Sequence, residues 1–148
     1  MKRSKSIFLC VLLVFFCLCG CSSESAIPTQ HSVVLIAKST RTEFWLSVFA
    51  GAEAAATEYN VKLTIIGPET EEDYEAQNAM VERAVQQKAE AIVFSAIDFE
   101  NNAGAIDAAA QAGVQVVAID SSVDSAAVKT YIGTDNYAAG RMAAQTAL

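Results

Sequence analysis

From residue 33 onward, short apolar runs alternate with longer stretches whose apolar positions recur every three or four residues. Val33, Val34, Leu35, Ile36 and Ala37 form the first run. They are apolar throughout and mostly β-branched, which predicts a buried strand. Over 44–59 the spacing is helical, with Phe44, Val48, Ala52 and Tyr59 near one face. A second strand is predicted over 61–66, stopped by Gly67 and Pro68. Thr70 and Asp73 have capping-box spacing, and Glu71, Glu72 and Asp73 suit a helix N-terminus. The second helix is therefore predicted from there to about Lys88. Further strands are predicted over 91–95, 115–119 and 130–132, with helices over 102–112 and from Tyr137 to the end. This alternation implies right-handed crossovers. The fold class is doubly wound α/β, with a mostly parallel sheet covered on both faces.

The first residues are a different material. Lys2, Arg3 and Lys5 precede an unbroken run of twelve apolar residues, from Ile7 to Leu18. A basic start, a short apolar stretch and a small residue before a cut make a secretory signal. Twelve residues span roughly 18 Å as a helix, short of the ~30 Å hydrocarbon core. Leu18-Cys19-Gly20-Cys21 resembles a bacterial lipobox, which places cleavage after Gly20 and a lipid on Cys21. The expected organisation is a lipoprotein signal peptide over 1–20, a lipidated tether over 21–32 and a globular body over 33–148. The pattern breaks off at Leu148 inside a helix, so the body is expected to be a truncated lobe, with a natural one-lobe domain as the alternative.

Cysteine placement and charge narrow the classes. Cys10, Cys17, Cys19 and Cys21 are the four cysteines, and all lie in the leader. A disulfide framework or a Cys-ligated zinc site in the body is excluded, and no metal or cofactor is expected. Loss of Lys2, Arg3 and Lys5 leaves seven basic residues against 17 acidic, a charge of −10. Such a surface repels phosphate backbones, so no nucleic-acid partner is expected. Apolar residues make up 53% of the 148, which excludes a disordered chain.

In open parallel α/β sheets, ligands bind outside the carboxyl ends of the strands. After the first strand come Lys38, Ser39, Thr40, Arg41, Thr42, Glu43, Phe44 and Trp45; after the third come Ser95 and Asp98. Asp120 and Ser121 follow the fourth strand, and Asp135 and Asn136 follow the fifth. Carboxylates and hydroxyls hydrogen-bond sugar hydroxyls, and aromatic faces cover apolar C–H patches. Each also has a plainer role: Phe44 and Trp45 as core, Asp98 and Asp120 as turn or helix caps, Lys38 and Arg41 as solvated charges. Asp135 and Asn136 are read as a helix cap or hinge. Phosphate-loop, GxGxxG and GxSxG patterns are missing, and the only histidine, His31, falls in the tether. The body therefore cannot assemble a Ser–His or Cys–His pair, and the chain is expected not to be an enzyme.

The order of these motifs resembles the start of a type I periplasmic sugar-binding protein of the ribose- and galactose-binding branch. The resemblance rests on the lipobox, the strand over 33–37, and Phe44-Trp45 opening a helix that contains Gly51. It continues through Gly67-Pro68, the run over 89–93, Val117-Ala118-Ile119-Asp120, and Tyr131 to Asn136 followed by Gly140. It implies the N-terminal lobe of a hinge-closing receptor that captures a monosaccharide and delivers it to an ABC permease. By position, Thr42 would supply a polar contact, Phe44 and Trp45 would flank the sugar ring, and Asp120 would take ring hydroxyls. Ribose-binding members place Arg after that Asp, whereas here it is Ser121. Lys38 and Arg41 stand where uncharged residues are common, which leaves an acidic sugar open. The location implied is extracytoplasmic, held to the membrane through Cys21. A ligand-sensing lipoprotein reporting to a histidine kinase or chemoreceptor shares these features, and an exported enzyme is the third reading.

Overall fold

The structure is a computed structural model and describes residues 30–147. The expected signal peptide, Cys21 and the tether as far as residue 29 lie outside the described residues. The elements are β1 (Ser32–Ile36), α1 (Glu43–Glu58), β2 (Lys62–Ile66), α2 (Tyr74–Gln86), β3 (Ala91–Phe94), α3 (Ala103–Gln111), β4 (Gln115–Ile119), β5 (Thr130–Ile132) and α4 (Asn136–Thr146). All strands pair in parallel, in the order β2-β1-β3-β4-β5. The chain steps outward from β1 to β2, then crosses back to β3, so the order reverses between β1 and β3. The predicted class holds: α2 and α3 cover one face of the sheet and α1 the other.

Register explains the core. Val34, Ile92 and Val116 stand in one row across β1, β3 and β4, and Ile36, Phe94 and Ala118 in the next. These six side chains are at most 5% exposed, and Val34, Ile36, Ile92, Phe94 and Val116 pack with Val81, Ala84, Ile106 and Ala109 of α2 and α3. The alternate side chains turn to α1, where Leu35 and Ala37 pack with Trp45 and Phe49. Helix α1 is rotated from the predicted phase. Trp45, Val48, Phe49 and Ala52 face the sheet, whereas Phe44 and Tyr59 are 55% and 71% exposed. Helix α2 also starts later than predicted. Asp73, not Thr70, is its N-cap, accepting from the Ala76 N–H at 2.8 Å. The preceding Glu71 carboxylate is engaged elsewhere, as acceptor of the Trp45 indole N–H at 2.9 Å.

Where β1 and β3 stop pairing, a side chain continues the ladder. Gln77 of α2 is fully buried and donates from Nε2 to the carbonyls of Ala37 (3.1 Å) and Ser95 (2.8 Å). Its Oε1 accepts from the Ile97 N–H at 3.1 Å. At the opposite end of the sheet, Glu90 holds His31 at 2.6 Å and accepts from the Ser32 N–H. Those contacts, the His31 hydrogen bond first, keep the Glu90 carboxyl below its ordinary pKa. Gln77→Leu keeps the volume but leaves two carbonyls and one N–H without their partner. It should lower stability by about 1–3 kcal/mol for each group left bare, read as an earlier urea midpoint. An unchanged midpoint would show that water replaces the carboxamide.

Candidate functional site

Three neighbouring strands end in the residues that form the site. Ser95 directly follows β3, Asp120 directly follows β4, and Lys38 lies two residues beyond β1. Asp120 Oδ2 accepts from Ser95 Oγ at 3.2 Å and from Ser121 Oγ at 3.3 Å. The Lys38 ammonium approaches the same oxygen to 3.2 Å. Among the described residues, no protein group is bonded to Oδ1. The protein contacts of the Asp120 carboxylate thus gather on one oxygen, and its side chain is 37% exposed.

The backbone at Asp120 is unusual, with φ +58, a region that residues other than Gly enter infrequently. Two contacts from β5 hold it there. The Asp120 N–H donates to the Ile132 carbonyl at 3.0 Å, and the Tyr131 hydroxyl donates to the Asp120 carbonyl at 2.7 Å. The Tyr131 ring folds over Gly133, where a Cβ would overlap the phenol. Tyr131 and Gln77 are absent from the sequence-based site. The signal for Gln77 was its place on the inward stripe with Val81 and Ala84, where a polar side chain must be bonded. Tyr131 lies in a short exposed strand that gives no such signal.

Other predicted residues have local duties. Trp45 is 1% exposed, its ring stacks on Phe49 at 6.2 Å, and its N–H is bonded to Glu71. Of the two roles expected for Trp45, the packing here is that of a core residue, because its ring is enclosed between the sheet and α1. Phe44, whose ring meets Trp45 edge-on at 5.1 Å, keeps an open face. Thr42 is the N-cap of α1 and accepts from the Trp45 N–H at 3.4 Å, with its hydroxyl proton still available. Arg41 pairs with Glu69 at 2.7 Å, above the ends of β1 and β2.

Asp98 shapes its own turn, accepting from the Glu100 and Asn101 N–H groups. The Asn101 contacts hold its carboxyl below the ordinary pKa. Buried Asn102 bonds back to the Asp98 N–H and across to Asn78 and the Tyr74 carbonyl, so the loop after β3 is fixed as a unit. Asp135 caps α4 by accepting from the Ala138 N–H at 2.9 Å, and Asn136 is the first helical residue. The predicted residues thus divide: Lys38, Ser95, Asp120 and Ser121 meet, whereas Arg41, Asp98, Asp135 and Asn136 lie outside that cluster.

A groove of about 540 Å³ lies between the end of α1 and β2, lined by Ala56, Thr57, Asn60, Leu63 and Ile65. Glu53 and Gln30 also line it, but it holds no cation, whereas the rim brings a carboxylate, an ammonium and two hydroxyls together. No helix among the described residues is long and apolar enough to cross a membrane.

The carboxylate, ammonium and hydroxyls thus lie at the carboxyl ends of neighbouring strands, beside the point where the strand order reverses, which is where open parallel α/β sheets place small ligands. The chain belongs to the family described as periplasmic binding protein domain, whose model matches residues 33–148. It is 29% identical to the ribose import binding protein of Bacillus subtilis, over 97% of this chain and 49% of that protein. Among solved structures it resembles a carbohydrate transporter solute binding protein from Agrobacterium radiobacter in complex with D-arabinose. That match has a TM-score of 0.76 and 36% identity, over 80% of this chain and 40% of that one. An ABC transporter solute binding protein from Agrobacterium vitis with bound D-fucose matches with a TM-score of 0.73 and 34% identity, over 77% of this chain and 41% of that one. The chain spans about half the length of the curated relatives it matches. None of these relatives is named as an enzyme.

The two aromatic neighbours should separate in a melting experiment. Trp45→Ala removes a fully buried ring and should cost about 3–5 kcal/mol. Phe44→Ala, on the exposed side, should stay within about 0.5 kcal/mol of wild type. Equal losses in both would mean that Phe44 is also packed.

Proposed function

We propose that this chain is the N-terminal lobe of an extracytoplasmic receptor that captures a monosaccharide for an ABC importer. The observation that carries this reading is Asp120, held in a left-handed backbone conformation at a strand's carboxyl end with Oδ1 free. A carboxylate fixed in this way accepts from ligand hydroxyls without reorganising, and the open Phe44 face covers ligand C–H groups. The sugars for which the relatives are named or with which they are complexed, ribose, D-arabinose and D-fucose, support a ligand of this size.

A second lobe completes the reading. Helix α4 has no buried residue, and Ile132, Tyr137 and Met142 are 63%, 77% and 65% exposed. On the side of the sheet that α1 covers, Val93 and Ile119 remain only partly buried. These surfaces, with a span about half that of the relatives, favour a partner lobe that closes over the rim through a hinge near Asp135. The ligand is then gripped from both sides, and the lobe alone binds weakly. The leader supplies export and anchoring, with acylation of Cys21 holding the receptor to the membrane beside its permease.

Two measurements test this reading. In the full-length gene product, Asp120→Asn should stay folded by circular dichroism and bind the cognate sugar at least about five-fold more weakly, because ligand hydroxyls lose a charged acceptor. Wild-type affinity in that variant would make Asp120 scaffold. Separately, Cys21→Ser should abolish incorporation of a radiolabelled fatty acid, and persistent labelling would refute lipid attachment there.

A further inference from the structure

Two cations beside a binding rim would ordinarily favour an anionic ligand. Here each already has an acidic partner. Arg41 is tied to Glu69 at 2.7 Å, with both side chains largely exposed. Lys38 is different, because its side chain is only 20% exposed and its partner is the site carboxylate. From beyond the end of β1 it reaches past β3 to Asp120 at the end of β4.

The ammonium has three N–H donors. The ammonium is held to Asp120 Oδ2 as an ion pair at 3.2 Å, and among the described residues no protein acceptor is hydrogen-bonded to it. Asp120 Oδ1 is likewise free of protein donors. Spare cationic donors and a spare carboxylate oxygen therefore lie side by side, with no net charge between them. A hydroxyl both donates and accepts, so adjacent hydroxyls of one ligand satisfy the two groups together. A ligand carboxylate would gain Lys38 but meet the Asp120 charge at short range. Like charges in a site closed from water cost far more than at an open surface.

We infer that Lys38 is the specificity-determining residue of this rim: paired with Asp120, it forms a charge-balanced dyad that accepts neutral polyhydroxyl ligands and discriminates against acidic sugars. The inference rests on the sugar-binding reading. It goes further in assigning the discrimination to the balance between two named charges. Asp120 alone would repel acids but lack the donors, and Lys38 alone would attract acids.

The test compares D-galactose with D-galacturonate, which differ at one carbon, by titration calorimetry on the full-length gene product. Wild type should favour the neutral sugar by at least about ten-fold. Asp120→Asn leaves the Lys38 charge unbalanced and should shrink that preference by about ten-fold. Lys38→Gln leaves the Asp120 charge unbalanced and should widen it by about five-fold, and Lys38→Arg should restore it. A preference that stays within about two-fold of wild type in both neutralising variants overturns the inference while leaving sugar binding intact. The same holds if wild type prefers the acid. A wild-type protein that binds no monosaccharide, including D-ribose, D-arabinose and D-fucose, overturns the functional reading and this inference with it.

Discussion

At the carboxyl edge of a parallel sheet the backbone loses its hydrogen-bond partners at the place where the strands must diverge to admit a ligand. Gln77 resolves that conflict. Its carboxamide takes the Ala37 and Ser95 carbonyls and the Ile97 N–H, and so acts as one more rung between β1 and β3. The bonds are made at zero exposure, where a bare amide group costs about 1–3 kcal/mol. They therefore fix position as well as adding stability. Ser95 is held by its own carbonyl, and its hydroxyl can aim at Asp120 from β3. The site thus inherits its rigidity from a helix residue that never touches the opening.

The second constraint comes from the other flank. Asp120 occupies a backbone region with some intrinsic cost, and β5 supplies what holds it there. The ladder bond to Ile132 and the Tyr131 hydroxyl grip the two polar groups of one residue. A Cβ at Gly133 would push the Tyr131 phenol aside, and with it the bond to the Asp120 carbonyl. The short strand β5 is exposed throughout, so core burial cannot account for its placement. Its evident contribution is positional, orienting the Asp120 carboxylate toward the edge where the strand order reverses. The strained residue and its restraint thus coincide at Asp120, the kind of place where backbone preference is overridden by surrounding contacts.

This division explains what the sequence made legible. Strand identity and the parallel class could be read because each β-run is apolar and each helix has its own period. The side-chain alternation seen in Val34, Ile36, Ile92 and Phe94 follows once those runs pair. The rim was legible as a set of loops, since strand ends locate ligand chemistry in this class of fold. Which members of each loop converge was not. Lys38 and Arg41 are both cations three residues apart, and only tertiary placement gives one to Asp120 and the other to Glu69. Trp45 and Phe44 are adjacent aromatics, and a single step of helical phase sends one into the core and the other outward. Asp98 and Asp120 both follow strands, but Asp98 is consumed by its own N–H groups. Local pattern predicts the menu of side chains, whereas contacts between distant residues choose among them.

Uneven coverage of the sheet bears on how such a lobe works. The α2–α3 side is closed by two helices, and its core residues across β1, β3 and β4 are essentially inaccessible. The α1 side has one helix, which leaves Val93 and Ile119 half-covered, and α4 packs no side chain into the lobe. Apolar area left open at this level is a driving force of about 25 cal/mol per Å² for whatever covers it. That force acts beside the rim, on β5 and α4, immediately after the segment that positions Asp120. A partner lobe docked there would contact the end of β5 and Gly133, and through them the backbone of Asp120. Closure and site geometry would then be mechanically linked through three residues, with Gln77 anchoring the opposite flank.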